Sequence, residues 1–258
     1  MNNWKRTFAI IWSGQFFSTL SSSIVGFAVV FWLSIKTESP TVLAYAMLAT
    51  LLPFIVLGLF TGVYVDRWDR RRTMILADSF VALCSAALGI LFYLNIIELW
   101  LIYLLLALRS VGSAFHAPAM QASVPLLAPE SELMRVAGIN QMIQSISNIA
   151  GPALGAVLIS FLSMTYVMMI DVLGAVIACT SLLFVTIPNP EKKENVVPNI
   201  RLEIKEGLKH MFGNKGLAYL LGCVVVVTFF MVPVSALFPL MTTGHFNGTA
   251  FQMGIVEV

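Results

Sequence analysis

Gly62-Val63-Tyr64-Val65-Asp66-Arg67-Trp68-Asp69-Arg70-Arg71-Arg72 is a knot of charge between two long apolar runs. Upstream, Val42 to Val65 carries no charged residue; downstream, Thr73 to Ile97 carries only Asp78. A helix rises about 1.5 Å per residue, so about 20 apolar residues cross the hydrocarbon of a bilayer, and both runs are long enough. The charged stretch therefore reads as a turn at which the chain leaves lipid and re-enters it. Working outward, similar runs occur at Phe8 to Ser34, Trp100 to Leu127, Val136 to Phe161, Tyr166 to Ile187 and Leu217 to Met241. Their ends carry turn residues: Ser39-Pro40, Pro129-Glu130, Pro188 with Pro190, and Asn247-Gly248. The alternating polarity of a membrane barrel strand is absent. The fold class expected is an all-α integral membrane protein.

Composition agrees. Of 258 residues 59% are hydrophobic and 11% charged, with a mean hydropathy of +0.89; a water-soluble surface needs roughly 25% charged residues. A soluble enzyme and a disordered segment are excluded, and lipid is the expected surrounding. A formal charge of +2 argues for no nucleic-acid partner. Cys84, Cys179 and Cys223 lie in apolar runs without C-x-x-C spacing, so they read as small hydrophobes, and no metal site is expected. No G-x-x-x-x-G-K-[ST] marks an ATP-binding loop and no H-E-x-x-H a membrane metalloprotease, and no nucleophile and base form a recognisable pair, so an intramembrane enzyme is disfavoured and no cofactor is expected. The basic start and the apolar run behind it lack an A-x-A site and read as a retained first span.

Lys and Arg settle the expected orientation. Lys5, Arg6, Arg67, Arg70, Arg71, Arg72, Arg135, Lys192, Lys193, Arg201, Lys205, Lys209 and Lys215 fall on one side, and only Lys36 on the other. By the positive-inside rule the N-terminus is cytoplasmic. Ile200, Ile204, Leu208 and Met211 share a helical face beside Arg201, Lys205 and Lys209. That pattern suits either a helix lying on the anionic inner leaflet or a solvated linker.

Several residues within the spans are candidates for chemistry. Arg109 sits about ten residues into its helix, where a lipid-facing arginine costs roughly 2.5 to 3.5 kcal/mol, so it is expected to face the interior. Gly112 and His116 share its face; His116 is either a titrating group or a hydrogen-bonded structural histidine. Asp171 and Asp78 are each either a proton carrier or the partner of a nearby cation or helix end; for Asp78, close to the arginine cluster, an ion pair with those arginines is the favoured expectation. Gln15, Ser18 and Ser22 line one face of the first span, and Gln141, Gln144 and Asn148 one face of the fifth. Both stripes suit a cavity wall or interhelical contacts. Phe229, Phe230, Met231 and Phe238 offer an apolar surface to a hydrophobic ligand. The charged loop itself is either a topology anchor or a contact that binds a neighbouring helix end in one conformation and releases it in another. Pro53, Gly58 and Gly62 in the second span and Gly151, Pro152 and Gly155 in the fifth hint at an internal repeat of three helices with inverted topology.

The loop resembles the signature G-x-x-x-D-[RK]-x-G-[RK]-[RK] of the major facilitator superfamily: Gly62, Asp66, Arg67, Arg70 and Arg71 match, and Asp69 stands at the usual glycine. Arg109-Ser110-Val111-Gly112 with Ala117-Pro118-Ala119 is similar to that superfamily's arginine motif. Gly151-Pro152-Ala153-Leu154-Gly155 is similar to its antiporter motif, with Ser147 and Ala156 at two usual glycines. The phrases Ile11 to Gln15, Arg109 to His116, Ile170 to Ala178 and Phe246 to Thr249 resemble the macrolide-efflux permeases of bacteria. The resemblance implies a twelve-helix exporter of hydrophobic small molecules driven by protons in the bacterial inner membrane. It also implies a part in proton coupling for Arg109 and a place on the central pathway for Gln15 and Arg109. The expected organisation is a six-helix bundle over 1–187, a cytoplasmic linker over 188–215, and a seventh helix with the start of an eighth over 216–258. On that plan the C-terminal helices of the second bundle are missing partners, and the chain alone is expected to insert, self-associate and export nothing. Rival readings are a permease of the same fold for a siderophore, lipid or metabolite, and a non-transporting membrane fragment.

Overall fold

The computed structural model describes residues 4–188, 209 and 211–256. Among the described residues eight α-helices follow in order: α1 (Trp4–Thr37), α2 (Pro40–Val65), α3 (Arg70–Tyr93), α4 (Leu99–Leu127), α5 (Leu133–Phe161), α6 (Met164–Leu183), α7 (Lys215–Leu240) and α8 (Ala250–Val256). No strand occurs among the described residues, and α1 to α6 are each long and apolar enough to cross a membrane. The pattern expected for an amphipathic linker helix falls mainly on residues outside those described.

Local chemistry sets the helix ends. Pro40 opens α2 at a position that needs no backbone donor. Asp69 caps α3, its carboxylate accepting from the Arg72 amide at 2.9 Å. The residue that departs from the loop signature is thus an N-cap in an extended conformation, and the turn makes no demand for glycine there. Asn95, at φ 55°, takes the left-handed turn that Asn tolerates between α3 and α4. Asn247, at φ 51°, does the same before α8, where Thr249 and Gln252 form a reciprocal cap.

The six long helices pack in the row α5, α1, α6, α3, α4, α2. Exchanging α1 with α4, α2 with α5 and α3 with α6 returns the same row reversed, as expected of two inverted three-helix repeats. Close approach is bought with glycine: a Cβ on Gly155 of α5 would lie 3.1 Å from the Ile24 carbonyl of α1. α7 lies against α1 and α2, and α8 packs on α5, where Gly254 meets the Pro152 carbonyl.

Inside the bundle the side chains form three layers. Phe8, Ile11, Trp12, Met74, Ala119 and Leu182 make an apolar layer at the arginine-rich end. Val25, Leu33, Leu88, Ile102 and Val167 make another at the opposite end. Between them α1, α3, α4 and α6 bury Gln15, Ser18, Ser21, Asp78, Ser85, Arg109 and Asp171. The outward surface is covered by large apolar side chains such as Leu76, Leu83, Phe161 and Leu173, which only a lipid surrounding tolerates on this scale.

Candidate functional site

The middle layer holds two polar clusters. In the first, Arg109 of α4 pairs with Asp171 of α6; their side chains are 9% and 2% exposed. Asp171 also accepts from Ser85 of α3 at 2.6 Å, and from Ser22 and Ser21 of α1 at 2.7 and 3.3 Å. Ser85 in turn lies in hydrogen-bond contact with the Arg109 guanidinium. Four helices converge on one carboxylate, and the buried charge is met by a fixed cation and three hydroxyls. Ser85 and Ser21 escaped the sequence reading, although Ser85 stands two turns from Asp78 on the same face of α3.

The second cluster corrects an expectation. Asp78 does not pair with the arginine cluster; its Oδ1 lies 3.4 Å from His116 Nε2 of α4. It accepts from Ser18 at 3.0 Å and from Gln15 at 3.3 Å. Asp78 points into the bundle because its position on α3 faces α1 and α4, whereas the arginines stand at the helix start. Gln15 and Ser18 are accordingly interior partners of Asp78 and lie away from the cavity described next.

An apolar cavity of about 590 Å³ opens between α1, α2, α4 and α7. Phe27, Met47, Leu51, Phe54, Leu106 and Met231 form much of its wall, with Ser22, Thr50, Arg109, Ser110, Ser113 and Thr228 as polar points. Of the residues expected on the substrate pathway, Ser22, Arg109 and Met231 line this cavity. Gln144 and Asn148 lie exposed on α5, with Gln141 and Ser145 beside them. Phe229 and Phe230 are exposed on the outer surface of α7, and Phe238 lines a smaller pocket against α8.

The charged loop contacts a neighbouring helix end. Arg71 donates from Nε to the Leu182 carbonyl at 2.7 Å and from Nη2 to the Leu183 carbonyl at 2.9 Å, satisfying two terminal acceptors of α6. Arg70 is buried, donates to the Trp68 carbonyl at 2.9 Å and sits 3.8 Å from Asp66. Arg67 adjoins them in the turn. A Cβ on Gly62 would meet nothing within 4 Å, so packing does not require glycine there. Gly151 and Gly155 are buried where α5 meets α1, and Pro152 is buried with its carbonyl against Gly254 of α8. All three cysteines are free thiols.

Two inverted helix triplets around buried charge, flanked by an apolar cavity, define a multi-pass membrane protein of the inverted-repeat class. The chain belongs to the Major Facilitator Superfamily, whose family model matches residues 11–256. It is 41% identical over 258 residues to Macrolide efflux protein A of Streptococcus pyogenes, covering 100% of this chain and 64% of that protein. It is 40% identical over 221 residues to Macrolide efflux protein A of Enterococcus faecalis, covering 85% of this chain and 68% of that protein. It is also 34% identical over 146 residues to an uncharacterized MFS-type transporter of Bacillus subtilis, covering 57% of this chain and 34% of that protein. The chain thus spans less than two thirds of the length of the streptococcal relative.

Proposed function

We propose that this chain is part of a secondary active exporter of hydrophobic or amphipathic drugs, macrolides among them, driven by proton antiport across the bacterial inner membrane with the N-terminus cytoplasmic. The observation that carries this reading is the placing of Arg109: it lines the apolar cavity and also holds the buried Asp171. A drug-sized ligand suits a cavity of this volume, with apolar walls and few polar points. A ligand that draws Arg109 toward the cavity weakens its hold on Asp171, and the carboxylate, then lacking its cation, is stabilised by taking a proton. The reverse exchange releases the ligand. The names of the streptococcal and enterococcal relatives support the substrate class.

In this scheme 1–187 form one bundle, 188–215 link it, and 216–258 begin a second that supplies the α7 wall of the cavity. Asp66 and Arg70 hold the turn while Arg71 holds the end of α6, a contact that rocking motions make and break. Gly151 and Gly155 let α5 ride closely on α1, and Pro152 lies between them.

The test is efflux from bacterial cells expressing the whole exporter of which this chain is part. Intracellular macrolide should fall relative to control cells, and a protonophore should abolish the difference. Efflux that persists after the proton gradient is collapsed would remove proton antiport. Movement of siderophores or lipids in place of macrolides would reassign the substrate.

A further inference from the structure

The two carboxylates of the middle layer occupy matching places in the inverted repeats. Asp78 lies eight residues after Arg70, the first residue of α3; Asp171 lies seven after Met164, the first of α6. Those helices exchange under the pseudo-two-fold relation and enter the bundle from opposite ends. On the exchanging pair α1 and α4, Gln15 lies eleven residues after Trp4 and Arg109 ten after Leu99. Gln15 contacts Asp78 as Arg109 contacts Asp171. One repeat therefore gives its carboxylate a permanent cation, and the other gives its carboxylate a neutral amide.

The difference decides the charge of each cluster. Arg109 and Asp171 are neutral as a pair without any added proton. Asp78 and Gln15 are not, and a lone carboxylate in a buried site costs several kcal/mol. Among the described residues the missing positive charge is within reach only at His116, whose Nε2 lies 3.4 Å from Asp78 Oδ1. That nitrogen and Gln15 Oε1 make no hydrogen bond among the described residues, though both are buried. Among the described residues the surroundings supply no other cation: α1 gives Gln15 and Ser18, α6 gives the Cys179 thiol beside Ser79, and α2 carries no charged residue. Arg70 and Arg71 are engaged at the turn, and Arg109 is held by Asp171 two turns along α4, about 10 Å away on the helix axis. Ser18, Ser21 and Ser22 of α1 connect the clusters, since Ser18 donates to Asp78 and the other two to Asp171, and Ser21 also reaches the Ser18 carbonyl.

We propose that Asp78 and His116, seated between Gln15 and Ser18, form a proton-binding site that is the inverted-repeat counterpart of the Arg109–Asp171 pair and binds one exchangeable proton where its mate has a fixed cation. As a coupling element this pair presupposes the proton-driven export proposed above; as a titrating pair it does not, and resting protein suffices to see it.

The full chain, purified in detergent with its three histidines labelled with ¹⁵N in the ring, is titrated by NMR, and the His116 signal is assigned with His116→Gln. Asp78→Asn should lower the proton affinity of His116 at least about tenfold, one unit in its midpoint, and leave His245 unchanged. Gln15→Arg, which installs the cation that the mate site has, should also lower it, and gives the same reading if Asp78→Asn does not fold. Restoring a carboxylate with Asp78→Glu should recover the affinity. A His116 midpoint that neither variant moves, or an absence of titration between about pH 4 and 9, overturns the site. Loss of export with the titration intact would instead overturn the transport reading alone.

Discussion

At the scale of single residues, Arg109 is the position where stability and mechanism are most easily confused, because removing it leaves Asp171 as an uncompensated buried charge. Breaking such a pair from one side costs about 3 to 5 kcal/mol, whereas replacing both members with apolar groups is often close to neutral. Arg109→Met or Asp171→Leu alone should therefore lower the thermal unfolding midpoint in detergent sharply, and the double variant should recover most of it. Export should be absent in all three. A stable double variant that still exports with a proton gradient would leave the pair a structural contact. That Arg109 faces inward was legible in the sequence from the cost of placing it in lipid. Its partner was not, because Asp171 is 62 residues away on another helix and only packing brings them together. Asp78 shows the converse error: closeness along the chain suggested the arginines, but helical rotation turns it toward His116.

At the scale of elements, the lengths of the apolar runs and the turn residues between them fixed every long helix in advance, because the bilayer imposes one length scale on all of them. Which helix would neighbour which was not legible. In lipid no hydrophobic drive marks the contacting face; small residues and polar groups do that, and they do not name their partner. Gly174 of α6 illustrates this: a Cβ there would lie 3.0 Å from the Phe17 carbonyl and 2.8 Å from Ser21 Cβ. Gly174→Leu should force α1 and α6 apart, costing about 1 to 3 kcal/mol or more, and should appear as a lowered unfolding midpoint and a broadened size-exclusion profile. Gly62→Ala, at a residue of the loop signature with open space around it, should leave the midpoint unchanged or slightly raised by the better helix propensity of alanine. If the two substitutions were equally damaging, the close approach of α1 and α6 would be wrong.

At the scale of the whole molecule, shape and charge follow different symmetries. The packing row reads the same from either end after exchange of repeats, yet the arginine-rich turn between α2 and α3 answers to Leu162-Ser163 between α5 and α6, which carries no charge. By the positive-inside rule that imbalance predicts a cytoplasmic arginine-rich turn. With Cys84, Cys179 and Cys223 replaced by alanine, Ser39→Cys should react with an impermeant thiol reagent added outside intact cells, and Glu130→Cys only after the membrane is opened. The opposite labelling would invert the molecule.

The same row also constrains the order of events during synthesis. Of its five contacts only that between α3 and α4 joins consecutive helices; α1 meets its main neighbours only when α5 and α6 exist. At about 5 to 20 residues per second, the 62 residues between Arg109 and Asp171 take about 3 to 12 s to translate. For those seconds α4 carries an arginine whose counter-ion has not been made, at a cost of roughly 2.5 to 3.5 kcal/mol if it faces lipid. Sheltering the early helices at the site of insertion, or against α2 and α3, until α6 arrives would spare the nascent bundle that cost.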